Sequence, residues 1–451
     1  MRSAPPLSFL IALMVLTLSG PTRATDPRIE FEATSAREVL LRPEGILEDP
    51  DRFWETDPAY RLAAMWHTSS RVPIPREAWE RDLRQRAGVP PAERGGAPGS
   101  LLLDELMRAV DRFNREAAPH ICSFLPREGL DLHTTIHFTA GLHPYAFQIH
   151  RHIVLDVTHA HFKMDADRIM NCLVHEVFHI GYGNHQRLRR ELDLDNAAIN
   201  TTLNSLQNEG MATYVAYRAQ AIFPASKDPD YRKLERKREV KLARHALNDL
   251  FRRMKSENPD DLWSQAWRVG VDRRGYYTFG AYMAQIIDER LGREALVETV
   301  DQGPRAFMRT YNTVADEGME ILEFEEPTEL TRQQRIRKAA REKDAATVRA
   351  LLKEYTDRSV EPESALEHTL ISAALQLQHC GEIALAIDVL ETNASIHPES
   401  SAAHQFLADA WARTGLATKA IAGYRKSIEL DPEGICAFNS EEALAKLDRG
   451  R

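Results

Sequence analysis

Two histidines four residues apart, His175 and His179, with Glu176 beside the first, constrain this chain most. On an α-helix, positions i and i+4 stand one turn apart on the same face, so both imidazoles can reach one metal ion. Glu176 then projects toward the neighbouring open coordination position, where it can take a proton from metal-bound water. Zinc lowers the pKa of such a water to about 7, which makes a nucleophile available at neutral pH.

The flanking residues predict that helix. Asp165 and Asp167 are N-cap types, and Ile169, Met170, Leu173, Val174, Val177, Phe178 and Ile180 recur at helical spacing as one apolar surface. Gly181-Tyr182-Gly183 is expected to stop the helix just beyond the second histidine. A catalytic zinc needs a third protein ligand and one open position. Glu209 is the leading candidate, in Asn208-Glu209-Gly210-Met211-Ala212 on a second helical pattern that runs from about Ala197 to Ile222 and ends before Pro224. Gly210 and Ala212 are small enough to let the two helices approach closely. His185, ten residues after His175, and the acidic residues Glu191, Asp193 and Asp195 are the alternatives.

The pair of motifs His175-Glu176-Val177-Phe178-His179 and Asn208-Glu209-Gly210-Met211-Ala212 resembles the gluzincin branch of zinc metallopeptidases. The resemblance covers residues 134–214. It implies one zinc ion per chain held by His175, His179 and Glu209, with Glu176 as general base. It also implies a tyrosine or histidine from a later helix to stabilise the carbonyl oxygen, and Tyr277 is the first choice for that role. Thr134 to Ala140 and His152 to Thr158 read as strands, matching the sheet that zincin folds place before this helix. The separation of His179 from Glu209 is longer than in aminopeptidase-type members. The G-A-M-E-N anchoring motif of those enzymes is missing too, Gly318-Met319-Glu320 being no substitute, which leans toward endopeptidase action. His185 keeps metzincin spacing, but with Tyr182 where that pattern needs glycine.

His150, His152, His159 and His161 form two H-x-H pairs around the second strand. Residues two apart share a strand face, so a second metal site or a histidine-rich edge strand that aligns an extended substrate are both readings of it. Four cysteines, Cys122, Cys172, Cys380 and Cys436, are too sparse for a disulfide scaffold. The net charge of -9 is diffuse and gives no case for nucleic acid.

Arg2, the apolar run Leu7–Leu18 and Thr22-Arg23-Ala24 read as a signal peptide over residues 1–24, so a periplasmic or secreted chain with no stable membrane anchor is expected. A mainly helical region over 25–130 follows, with helices predicted at Tyr60–His67 and Arg76–Arg86 and one carrying Leu102, Leu106, Val110 and Phe113. The peptidase domain is expected over 131–325 and a helical linker over 326–366. Within the former, Val240, Ala243, Leu247, Leu250 and Met254 stripe a solvated amphipathic helix. In the tail, Gly381, Ala386 and Pro398 recur 34 residues on as Gly415, Ala420 and Pro432, a period that resembles tetratricopeptide repeats. Residues 367–451 then hold two units, 367–400 and 401–434, with a capping helix over Cys436–Leu447.

The expected fold is therefore an α+β zincin-like peptidase domain, a small sheet plus helices, followed by an all-α tetratricopeptide-like domain. The expected activity is zinc-dependent hydrolysis of a peptide or protein substrate, with a possible protein partner on the repeats. The alternatives are a metzincin-like enzyme ligated by His185, and a catalytically idle zinc protein that acts through its repeats. Retention of Glu176 weighs against the last, because a structural zinc site needs no general base.

Overall fold

The computed structural model describes residues 27–449 apart from 71–73, 75, 128–129, 131, 143–144, 190–196, 226–227, 325–334, 336–337, 340–341, 358–365 and 380–381. Residues 1–24, with the expected signal peptide, lie outside them, as do Cys380 and Gly381. No helix of the described residues is long and apolar enough to cross a membrane. The described residues fall into two compact units, one built from residues within 27–183 and 201–323, the other from those within 184–200 and 324–449.

The first unit contains a four-stranded mixed sheet, β1 (Arg28–Glu32), β2 (His133–Thr139), β3 (Ala146–Ile149) and β4 (His152–Asp156), in the order β1-β2-β4-β3. β2 and β4 fall where alternating β-branched and apolar residues predicted strands. β1 and β3 were not foreseen. β1 is five residues long, and it becomes a strand by pairing in parallel with β2 at a separation of about a hundred residues in sequence. β3 pairs antiparallel with β4 through the turn at His150 and Arg151, where His150 takes a φ of 58°. β4 is consequently an interior strand with all five residues buried, and not the edge strand expected from its histidines. The edges are β1 and β3.

The helix Ala166–Arg189 begins where expected, with the Asp165 carboxylate accepting the Arg168 amide at 3.0 Å. Its apolar surface is buried without remainder: Ile169, Met170, Leu173, Val174, Val177 and Phe178 are each 0% exposed. Each such side chain contributes about 1.5–3 kcal/mol on leaving water, so packing and not helix propensity holds this element. The expected stop at Gly181-Tyr182-Gly183 does not occur, and the helix continues to Arg189. Gly181 serves packing instead, because a Cβ there would stand 2.3 Å from Leu125 Cδ1.

The helix Ala197–Arg218 packs along it, and polar pins bracket the contact. Asn171 Nδ2 donates to the Ala216 carbonyl at 2.8 Å, and Tyr182 Oη donates to Gln207 Oε1 at 2.9 Å. A third segment, the wide helical turn Tyr276–Gly280 running into Ala281–Leu291, crosses the second helix at Gly210 and Gly280. A Cβ on Gly210 would lie 2.4 Å from the Gly280 Cα, and one on Gly280 would lie 2.3 Å from the Leu206 carbonyl oxygen. The two backbones touch there, which only glycine permits.

In the second unit the described C-terminal residues form the helices Ala345–Asp357, Leu366–His379, Ile383–Ile396, Ser401–Arg413, Ala417–Leu430 and Ile435–Arg449. Ala386 and Ala420, the small residues of the 34-residue pattern, are both fully buried, and Tyr424 Oη donates to Asp409 at 2.7 Å inside this bundle.

Candidate metal centre

Three side chains from two helices converge. His175 Nε2 and His179 Nε2 are 3.0 Å apart, and Glu209 Oε2 stands 3.4 and 3.3 Å from them. In tetrahedral zinc coordination with bonds of about 2.1 Å, ligand atoms lie about 3.4 Å from one another. The triangle is thus the size that one zinc ion requires, and two imidazole nitrogens with a carboxylate oxygen are the donors zinc takes. Among the described residues this is the group of histidine, cysteine and acidic side chains that could hold a metal ion.

The electrostatics agree with the geometry. Burial alone would lower the His179 pKa, yet the Glu209 carboxylate beside it outweighs that and holds it up at about 9. Burial would raise Glu209, but His179 and His175 hold its carboxyl well below the usual range. A zinc ion would replace the proton these groups share. Asn208 supports one of these imidazoles: its Oδ1 lies 2.9 Å from His179 Nδ1, which favours the proton on that nitrogen and leaves Nε2 facing the triangle.

Glu176 is adjacent, and its carboxylate and backbone carbonyl are both held by one residue of the edge strand. Gln148 Nε2 donates to Glu176 O at 2.6 Å and to Oε2 at 3.2 Å. Tyr277 is brought to the same cleft, its ring stacked on His175 at 6.1 Å and 10°. Burial, with Glu209 next, keeps its hydroxyl protonated well beyond the usual range. The guanidinium of Arg274 lies 3.1 Å over the Tyr277 ring and is itself clamped by Asp230. Arg274 holds a φ of 63°, a strained conformation for a side-chain-bearing residue, of the kind found at functional sites.

These groups line a cleft of about 580 Å³ that also takes in Tyr145, Ala146, Arg168, Asn171, Cys172 and Lys233. Burial, with Glu176 adding to it, pushes the Cys172 thiol well up, so it stays a protonated lining group. Cys122 and Cys436 are free thiols as well.

The remaining sequence candidates go elsewhere. His185 continues the same helix six residues past His179, about 9 Å further along its axis, and its side chain lies outside the described residues. Glu191, Asp193 and Asp195 lie outside them also. His150 sits in the β3–β4 turn, and His152 pairs across the sheet with His137 at 3.1 Å. His161 stacks on Tyr145 at 4.4 Å and lines the cleft without joining the three side chains that could hold a metal ion. Sequence reasoning missed Gln148, Asn208, Arg168 and Arg274. Asn208 alone left a signal, as the first letter of the motif containing Glu209; the others act through contacts no local pattern encodes.

Residues 103–318 match the profile of a family described as "Putative zinc dependent peptidase (DUF5700)". The match covers just under half of the chain and includes all the residues brought together at the cleft. Neither the curated proteins nor the solved structures contain a match to the chain.

Proposed function

We propose that this chain is a zinc-dependent peptidase of the gluzincin type, with His175, His179 and Glu209 as ligands and Glu176 as general base. The observation that carries the reading is the 3.0–3.4 Å triangle of donor atoms beside a carboxylate that needs no role in holding metal. His175, His179 and Glu209 would hold zinc, which would supply a water of pKa about 7 and polarise a substrate carbonyl. Glu176 takes the proton of the attacking water and delivers it to the amine nitrogen as the peptide C–N bond breaks. Gln148 keeps the Glu176 carboxylate aimed into the cleft. Tyr277 donates its hydroxyl proton in a hydrogen bond to the carbonyl oxygen as negative charge develops there. β3, the sheet edge beside the cleft, suits main-chain pairing with an extended substrate, which fits endopeptidase action.

The run of helices over 366–449 supports a tetratricopeptide-like domain. Ile383–Ile396 and Ala417–Leu430 are two 14-residue helices displaced by 34 residues, with buried alanines at corresponding positions. Its role is to hold a protein partner or to brace the chain. The apolar run Leu7–Leu18 is proposed to direct export to a periplasm or the exterior.

The test uses the zinc-loaded chain, Glu176→Gln and Glu209→Ala with an unstructured protein as substrate. One zinc per chain is expected in the parent and in Glu176→Gln, the latter without cleavage, and zinc loss in Glu209→Ala. Zinc bound equally by all three, with no cleavage by any, would reject the peptidase reading in favour of a zinc-containing binding protein.

A further inference from the structure

We infer that Arg168 anchors a carboxylate of the peptide substrate, about three residues from the bond that is cleaved. The inference rests on the peptidase reading and names the substrate class of that same cleft.

Arg168 is 7% exposed, lines the cleft, and is poorly satisfied. Its Nε has no hydrogen-bond partner, its terminal nitrogen stands 3.5 Å from His161 Nε2, and the carboxylate it faces, Asp228, is 3.9 Å away. Asp228 is otherwise engaged: its Oδ1 caps the helix Pro229–Leu234 by accepting the Asp230 amide at 2.9 Å. Arg274, also in the lining, differs completely, since Asp230 binds it through two nitrogens and Tyr277 covers its face. Among the arginines of the lining, Arg168 is therefore the one whose donors are incompletely engaged by protein partners. An arginine buried without full pairing is costly, and a planar fork of donors matches a carboxylate with two parallel hydrogen bonds.

The helix sets the distance. Arg168 and His175 are seven residues apart, which returns the side chain to within about 20° of the same direction and about 10 Å along the axis. Side chains lean toward the helix N-terminus, which carries the guanidinium away from the metal ligands. An extended peptide advances about 3.3 Å per residue, so about three residues span the gap. The carboxylate is either an acidic side chain at that position or the substrate's own C-terminus.

The experiment measures binding of fluorescent hexapeptide pools to the zinc-loaded full chain carrying Glu176→Gln, and hydrolysis of the same pools by the parent. Pools are fixed as Glu or Gln at one position and made as free acids or amides. Carboxylate-bearing pools should bind about ten- to one-hundredfold tighter than their neutral counterparts. A Glu-over-Gln preference identifies the side chain, and an acid-over-amide preference identifies the terminus. Arg168→Met should erase the preference, Arg168→Lys should keep part of it, and Asp228→Asn, which retains the helix cap, should strengthen it severalfold. Absence of a preference in the parent, or its survival in Arg168→Met, overturns the inference. Should Arg168→Met fail to fold, as read by thermal unfolding, an unchanged preference in Asp228→Asn overturns it instead. Hydrolysis without carboxylate preference removes the anchor and leaves the peptidase; carboxylate preference without hydrolysis does the reverse.

Discussion

Replacing Gly210 with alanine tests whether a backbone crossing, and not the ligands alone, sets the metal geometry. The new Cβ would meet the Gly280 C and Cα atoms at 2.4 Å and the Ala281 nitrogen at 2.9 Å, where ordinary contacts begin at 3.4 Å. All three are backbone atoms, so no side chain can swing aside, and the helices must part by about 1 Å. Overpacking of this kind costs about 1–3 kcal/mol. For a unit of this size that lowers the unfolding temperature by about 2–4 °C per kcal/mol, or about 4–8 °C in the middle of the range. The displacement also carries Glu209, the preceding residue, away from the two histidines, whereas metal sites tolerate about 0.2 Å in ligand distance. Zinc affinity measured by chelator competition should therefore fall along with stability. Gly280→Ala should behave alike, and the double variant should cost less than the sum, because one widening relieves both clashes. Gly45, with open space around its Cβ position, is the control: alanine there should be neutral or stabilising by up to about 1 kcal/mol. A Gly210→Ala protein that melts with the parent and holds zinc as tightly would refute the argument.

Three further outcomes are expected. Asn208→Ala removes the acceptor for His179 Nδ1 and should weaken zinc about 10- to 100-fold in a chelator titration, with the fold intact by circular dichroism. Tyr277→Phe should keep zinc and KM while kcat falls about 100- to 1000-fold, and an unchanged kcat would take the hydroxyl out of the reaction. Burial lowers the His137 pKa from 6.5 to about 4, against the opposing pull of the Glu32 carboxylate. Between those pH values the unfolded chain binds a proton that the folded chain does not, so the folded state loses stability as pH falls through that window. The loss amounts to about 3 kcal/mol by pH 4, it is absent above pH 6.5, and His137→Gln should flatten that part of the stability–pH curve in urea titrations.

Helical spacing made the centre of the site legible in advance. His175 and His179 occur on one face because any helix would put them there, with Glu176 about 100° round from His175, and the apolar residues around them show which face is buried. The N-E-G context pointed to Glu209 by resemblance, and β2 and β4 carried enough β-branched and apolar residues to be seen. Three things needed the tertiary structure. β1 and β3 are short and exist as strands only through their partners. The Gly181–Gly183 cluster reads as a helix stop, yet Gly181 is there because Leu125 leaves no room for a Cβ. Gln148, Arg168 and Arg274 acquire their roles from neighbours on other elements, and no periodicity records that. Local backbone geometry is short-ranged and repeats with the helix, so sequence alone determined which ligands share a face; the closing of the third ligand, the crossing at Gly210 and Gly280, and the incomplete pairing of Arg168 in the cleft depend on contacts between distant segments, which only packing decides.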